Sequence, residues 1–307
     1  MTSIHSPASS PFRLLGLLAC AAFFAGLASA GTSHGQVQSI VDSQGFELPK
    51  FDPAFNNPAV QYVGQLEGQA PFPEPLPVGT WVRSRNVGAS TAKVVNTMAA
   101  GGTQSVQVDR APNSDVRWAV PVDGWPSARY VCIDWDMKVQ PAPTPLGSFG
   151  PYFAVEAYDD DGPLSLLASL GVDAANGEVL YQQTGTGALV APGPVVALGA
   201  WNHFSILLDY VDHSFSLWLN NSFLVSQTFV DHIPAINELN EFTDAPIAAV
   251  GAGADPDSQA AIGTAFYDNY RVIQSATNPK VPEPASCALA LLGAATLASA
   301  RRRRHAA

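Results

Sequence analysis

Hydrophobic and polar residues alternate most clearly in residues 129–140. Successive side chains of a β-strand point to opposite faces of the sheet, so an alternation of period two gives one apolar and one polar face. The apolar set is Val131, Ile133, Trp135, Met137 and Val139, and the polar set is Tyr130, Cys132, Asp134, Asp136 and Lys138. The pattern predicts a strand with one face against a core and the other face polar.

Two further alternating segments predict consecutive β-hairpins. One apolar face falls in residues 204–210 and the next in residues 215–219, with a turn at residues 211–213 between them. An Asn-Asn pair at residues 220–221 then predicts a second tight turn. Short turns of this kind join antiparallel strands, so three neighbouring strands are expected here.

The remainder of residues 31–280 shows similar short runs and little helical periodicity. Further strands are predicted at residues 105–108, 152–158, 179–182, 247–252 and 266–273. Proline donates no hydrogen bond to a sheet, so loops are predicted at the proline-rich residues 71–77, 141–145 and 192–194. The expected fold class is all-β.

The first 30 residues are typical of a secretory signal peptide. They contain the basic residues His5 and Arg13, no acidic residue, and an apolar core at residues 14–27. The small residues Ala28 and Ala30 predict cleavage before residue 31. This segment implies export through the Sec machinery, by way of a signal helix that is then removed.

The other end of the chain has three parts in a fixed order. Val281, Pro282, Glu283 and Pro284 are followed by an uncharged apolar run at residues 285–300 and then by Arg301, Arg302, Arg303 and Arg304. As a helix, this run reaches about 24 Å at about 1.5 Å per residue, short of a hydrocarbon core about 30 Å thick. Arginine clusters stay on the cytoplasmic side, so the rest of the chain is expected outside the membrane.

These three parts resemble the PEP-CTERM sorting tail of Gram-negative bacteria. The resemblance implies a short transmembrane helix, recognition by an exosortase-type membrane protease, and cleavage near residues 282–284. The protein would be anchored transiently and then displayed at the cell surface or released. A second Pro-Glu-Pro at residues 73–75 has no apolar run or arginines after it. The sorting tail is therefore identified by the order of its three parts and not by the tripeptide alone. An ordinary tail anchor is the alternative.

Charge excludes some partners. The 307-residue chain has a formal net charge of −11, but Arg13 and the four C-terminal arginines belong to the two end segments. Residues 31–280 contain ten basic and 25 acidic residues, a net charge of −15. A surface of this sign repels nucleic acid and anionic lipid, so no nucleic-acid partner is expected.

Cysteine content excludes an internal disulfide in the exported part. Cys20 lies in the signal segment and Cys287 in the tail, which leaves Cys132 alone. An exported domain with one cysteine depends on burial, metal binding or assembly for its stability.

Several short segments together resemble a concanavalin A-like, or laminin-G-like, jelly roll. In chain order they are Gly45-Phe46-Glu47, residues 64–69, Trp81, residues 105–108, the hairpin at residues 201–220 and residues 267–272. The resemblance implies two antiparallel sheets packed face to face, with a concave face that binds glycans in many relatives. The domain is predicted at residues 31–275, and residues 276–307 are a linker and the sorting tail.

The polar face of residues 129–140 is the strongest catalytic candidate. Cys132, Asp134 and Asp136 are spaced like the carboxylates of laminarinase-like glucanases of the same class. Retaining hydrolysis needs two carboxyl groups about 5–5.5 Å apart, and a thiol cannot replace one of them. The preferred prediction is therefore a strand face that is solvated or lines a ligand site, without catalysis.

Acidic turns make calcium the one cofactor that the sequence suggests, because calcium binds carboxylate and carbonyl oxygens. The candidates are the acidic turn at residues 159–162 and a second set consisting of Asp255, Asp257 and Asp268. Zinc is not expected, since His203, His213 and His232 lack a paired spacing. A Gly-x-Ser-x-Gly pattern at residues 31–35 lacks the strand and helix that a nucleophile elbow needs.

Trp218 lies on the face opposite the apolar residues of its strand and is a candidate for stacking on sugars. The leading hypothesis is a non-enzymatic surface or extracellular-matrix protein associated with extracellular polysaccharide. A calcium-assisted carbohydrate-binding module that uses Trp218, Asp134 and Asp136 is the alternative. A laminarinase-like glycoside hydrolase is the second alternative.

Overall fold

A computed structural model describes residues 37–58, 62–71, 79–122, 128–143, 149–160, 164–231, 241–252 and 255–281. The strands in chain order are β1 (Gln38–Asp42), β2 (Val82–Val87), β3 (Thr91–Val95), β4 (Ser105–Arg110), β5 (Asp115–Ala119), β6 (Tyr130–Val139), β7 (Tyr152–Asp159), β8 (Ser165–Asp173), β9 (Val179–Gln182), β10 (Leu189–Val190), β11 (Asn202–Asp209), β12 (Ser214–Leu219), β13 (Ser222–Thr228), β14 (Ile247–Val250) and β15 (Gly263–Ser275). Helical structure in these residues is limited to a 3-10 turn at Gln44–Phe46 and a helix, α1, at Pro256–Ala260. No helix in the described ranges is long and apolar enough to cross a membrane.

The strands form two antiparallel sheets. The eight-stranded sheet has the order β13-β12-β11-β6-β15-β4-β3, and β1 also pairs with β15. The seven-stranded sheet has the order β10-β9-β8-β7-β14-β5-β2. The chain crosses repeatedly between the sheets, and the fold is the jelly-roll sandwich that the alternation and the resemblance predicted.

The core lies between the two sheets. The alternate residues Val131, Ile133, Trp135, Met137 and Val139 of β6 are all buried in it, as predicted. Trp135 stacks on Phe204 of β11 with 5.6 Å between ring centroids, an arrangement worth about 0.5–1.5 kcal/mol beyond the buried area. Because inward residues alternate with outward ones, each sheet also presents a separate outer face.

The hairpin between β12 and β13 contains a turn in which two asparagines have positive φ. Asn220 and Asn221 have φ values of 49° and 64°, both in the left-handed region. A two-residue turn of this type matches the twist of the strands and takes glycine or asparagine readily. The Asn-Asn pair therefore supplies the left-handed conformation that this turn requires.

The predicted ends of the chain lie outside the described residues. This applies to the signal segment with Ala28 and Ala30, to Pro282, Glu283 and Pro284 of the sorting motif, to the apolar run, and to Arg301 through Arg304. Val281 is described and is exposed. The first strand begins at Gln38 and the last ends at Ser275.

Candidate functional site

The polar face of β6 meets side chains from two other segments on the outer face of the eight-stranded sheet. Asp134 pairs in register with Ser205 of β11, and Asp136 pairs with His203. Lys280, beyond the end of β15, reaches the same place. Asp134, Asp136, His203, Ser205 and Lys280 are called the Asp134 cluster below.

The Asp134 carboxylate is the acceptor at the centre of this cluster. Lys280 Nζ lies 2.6 Å from Asp134 Oδ1 and 2.8 Å from Ser205 Oγ, and Ser205 Oγ donates to Asp134 Oδ1 at 2.6 Å. His203 Nδ1 is 2.9 Å from Asp136 Oδ1, and Asn269 Nδ2 donates to the other oxygen of Asp136 at 2.7 Å. Both carboxylates are thus engaged with intramolecular partners.

These contacts shift the protonation equilibria. Burial opposes the charge of Asp134, but hydrogen bonds from His203, Lys280 and Ser205 hold its pKa well below its usual range. The carboxylates of Asp134 and Asp136 raise the pKa of His203 to about 9, despite its partial burial. At neutral pH the Asp134 carboxyl is therefore ionised and the His203 imidazole is protonated.

Asp134 is a poor candidate for the general acid of glycoside hydrolysis. A general acid needs a pKa near the working pH, whereas the pKa of Asp134 is lowered. Burial raises the pKa of Cys132 to about 12, so its thiol stays protonated and packs with Leu207 and Ile273. On the predicted polar face, Cys132 and Asp134 are buried, and Tyr130, Asp136 and Lys138 are half-buried.

Ser205, His203 and Asp136 are connected in the order of a catalytic triad, with Ser205 Oγ 3.4 Å from His203 Nε2. Ser205 is only 1% exposed, and its hydroxyl donates to Asp134. Its strand is paired on both sides, with β6 and β12, so the backbone N–H groups serve the sheet. Within the described ranges, this paired strand offers Ser205 no free backbone N–H of the kind that stabilises an oxyanion.

Trp218, the predicted sugar-stacking residue, lies at the edge of this cluster. Its side chain is half-buried and packs edge-on against Phe223 at 5.7 Å, and Lys280 Nζ lies 5.9 Å from its ring. The structure therefore brings the three predicted ligand-binding residues, Trp218, Asp134 and Asp136, to one face. It fills the space among them with other side chains of the same domain.

The predicted calcium ligands have separate roles. Asp268 is fully buried, and its carboxylate accepts the backbone N–H groups of Ala100, Gly101 and Asn269. Asp255 instead caps α1 by accepting the N–H of Asp257. The described part of the chain contains no group of three or more His, Cys, Asp or Glu side chains placed to hold a metal. Asp255, Asp257 and Asp268 are therefore not grouped as a metal site there, and residues 161–162 of the other predicted turn lie outside the described residues.

Sequence reasoning missed a groove on the outer face of the seven-stranded sheet. Its volume is about 660 Å³, within the range usual for ligand sites. We call it the Arg117 groove; it is lined by Asp115, Arg117, Phe149, Tyr152, Glu156, Gln182, Gly187, Leu189, Val250, Gly251, Ala252 and Gln259.

Arg117 lies among the acidic groups of this groove. It forms ion pairs with Asp115 on its own strand and with Glu156 on β7, and Tyr158 donates to Glu156 Oε2 at 2.8 Å. β14 separates β5 from β7, and its Ala248 pairs with Arg117 on one side and with Ala154 on the other. The small side chain of Ala248 leaves room for the guanidinium to reach Glu156, two residues further along β7. Burial and the neighbouring carboxylate raise the pKa of Tyr158.

The other wall of the groove is apolar. Tyr152, Leu180 and Val250 form a small buried cluster on this outer face, and the partly exposed side chains of Phe149 and Leu189 pack on it. Gln182 Nε2 donates to Gly187 O at 3.3 Å, while its Oε1 has no hydrogen-bond partner among the described residues. The groove thus combines an apolar wall, fixed charged groups and one unused acceptor.

Residues 280–304 match the PEP-CTERM protein-sorting motif, so the recognition of this tail from the sequence is confirmed. No curated protein matches the chain.

Comparison with solved structures finds β-sandwich proteins of low identity. Cellulose induced protein Cip1 is 18% identical, with a TM-score of 0.47, over 64% of this chain and 90% of that one. The alginate lyase Aly36B is 11% identical, with a TM-score of 0.40, over 57% and 82% of the two chains. An alginate lyase from Aplysia kurodai is 7% identical, with a TM-score of 0.41, over 60% and 87%. The chain is therefore an all-β sandwich protein that carries a PEP-CTERM protein-sorting motif.

Proposed function

We propose that this is an exported, exosortase-processed surface or matrix protein, and that its sandwich holds extracellular polysaccharide in the Arg117 groove without cleaving it. The sorting motif supports export and processing. The observation that carries the binding proposal is the composition of the groove: a partly exposed apolar wall opposite fixed hydrogen-bonding groups.

Sugars present apolar C–H faces and hydroxyl groups on the same molecule. An apolar surface beside a few oriented polar groups is the usual design of a small-molecule site. Phe149 and Leu189 offer the apolar surface, and Arg117, Gln182 and Gln259 offer donors and acceptors. The unused Oε1 of Gln182 supplies an acceptor for a sugar hydroxyl once the side chain adjusts.

The charges of the groove support binding without catalysis. Asp115 and Glu156 both pair with Arg117, so neither carboxyl is held as a free acid or nucleophile. Burial raises the pKa values of Tyr152 and Tyr158, which makes both phenols poor bases.

The same charges favour neutral polysaccharides. The groove contains two carboxylates and one guanidinium, and residues 31–280 have a net charge of −15. A uronate-rich polymer would therefore be repelled at long range and would find Arg117 already neutralised.

A pull-down with insoluble neutral and acidic polysaccharides, followed by titration calorimetry with soluble fragments, tests this proposal. Phe149→Ala and Gln182→Ala should each weaken binding about 5- to 30-fold, because each removes roughly 1–2 kcal/mol of contact. Trp218→Ala, on the other sheet, is the matched control and should bind like the wild type. Retention lost with Trp218→Ala but kept in both groove variants would refute the assignment to this groove. Breakdown of any polysaccharide would refute the non-enzymatic part.

A further inference from the structure

Lys280 connects the folded domain to the sorting motif. After β15 the chain turns back, because Asn278 Oδ1 accepts the N–H of Lys280 at 2.9 Å and Asn278 O accepts the N–H of Val281 at 3.2 Å. This turn directs the Lys280 side chain onto the outer face of the eight-stranded sheet. There its ammonium group contacts Asp134 and Ser205 beside the Trp218 ring.

The contact is held firmly by its surroundings. The Lys280 side chain is 19% exposed and that of Asp134 is 11% exposed. Hydrogen bonds between charged partners are stronger than neutral ones, and removing one partner leaves a buried charge. Arg271 lies 3.7 Å from the other oxygen of Asp134, but it is about half exposed and does not replace Lys280.

The contact matters for processing because Lys280 lies very close to the sorting motif along the chain. Lys280 is the first residue of the sorting-motif match, and only Val281 separates it from Pro282. Two peptide units, at most about 7 Å of extended chain, separate Lys280 from Pro282 in the sequence. A protease that takes the motif into its active-site cleft would therefore meet this face of the sheet.

We propose that Lys280 is a clamp that holds the start of the sorting motif against the sheet, and that the membrane protease acts when Lys280 leaves Asp134 and Ser205. Lys280 and Asp134 are then positioning residues for processing, because they set how often the motif is free. The proposal rests on the sorting motif and is independent of polysaccharide binding.

Pulse-chase measurement of tail removal, with the full chain in cells that contain its processing protease, tests the clamp. Lys280→Met and Asp134→Asn should each speed tail removal about tenfold, because each loses a charge-assisted hydrogen bond. Lys280→Arg should stay close to the wild-type rate because it keeps the charge. Lys138→Met removes a lysine from the same face of β6, four residues from Asp134, and should change nothing.

Two further measurements separate the clamp from other effects. Amide hydrogen exchange in residues 276–281 of the unprocessed protein should rise in Lys280→Met and Asp134→Asn, and stay unchanged in Lys138→Met. The core variant Ile206→Val lowers stability without touching the clamp, so its tail removal should not accelerate. Processing of Lys280→Met at the wild-type rate or more slowly would overturn the proposal. Faster tail removal in Lys280→Met but not in Asp134→Asn would also overturn it, because the protease would then recognise Lys280 directly.

Discussion

Replacement of His203 by glutamine tests how much the Asp134 cluster contributes to stability. His203 lies 2.9 Å from Asp136 and 3.7 Å from Asp134, and the two carboxylates raise its pKa from 6.5 to about 9. Between these two pH values the imidazole is mainly protonated in the folded protein and mainly neutral in the unfolded chain.

A pKa that folding raises stabilises the folded state where the group is protonated. The contribution of His203 is therefore complete below about pH 6.5, falls as the pH rises, and is lost above about pH 9. At 1.36 kcal/mol per pKa unit, and after allowance for solvent screening of a side chain that is 36% exposed, it amounts to about 1–2 kcal/mol.

Urea denaturation of the wild type and His203→Gln between pH 6 and pH 10 measures this contribution. The variant should be less stable by about 1–2 kcal/mol at pH 6.5, and the two stability curves should converge near pH 10. The difference between the two curves removes the contribution of groups that titrate alike in both proteins. Parallel curves over this range would refute the assigned coupling between His203 and the two carboxylates.

Three further predictions concern other parts of the sandwich. Burial raises the pKa of Asp244 to about 7, so its ionisation destabilises the folded state as the pH rises from about 4 to 7. Asp244→Asn should therefore raise the free energy of unfolding at pH 8 by on the order of 1–3 kcal/mol in urea denaturation. A lower free energy of unfolding in this variant would contradict the assignment. Asn221→Val should lower the free energy of unfolding by about 1–2 kcal/mol because φ is 64° there, whereas Asn221→Gly should not lower it. Equal losses in the two variants would show that backbone conformation is not the cause. Gly171→Ala would place a Cβ 2.3 Å from a backbone oxygen and 2.7 Å from the Tyr152 ring. This clash should lower both the melting temperature and polysaccharide retention. Wild-type values for both would argue against Tyr152 as part of the groove floor.

The alternation of β6 and of the β11–β12 hairpin was predictable because each strand buries one face. β8 was missed because all nine of its residues, Ser165–Asp173, are buried, so no alternation marks it. β2 was missed for the opposite reason: five of its six residues are exposed along the edge of its sheet. Periodicity reveals a strand only when its two faces differ.

The candidate sites depended on contacts that sequence spacing does not show. Asp134 and Asp136 were singled out from their spacing, but their partners lie 71 and 67 residues away, at Ser205 and His203. Lys280 lay beyond the predicted end of the domain, and it closes the face that was expected to be open. Arg117 and Glu156 are 39 residues apart and meet only because of the strand order.

Hydrogen exchange of the purified protein, with and without a retained neutral polysaccharide, tests the binding site most directly. The proposed function predicts added protection in residues 149–156, 182–189 and 250–252, which border the Arg117 groove. The face that carries His203 and Trp218 should exchange as in the free protein. Protection on that opposite face, or protection nowhere despite retention, would contradict binding in the groove.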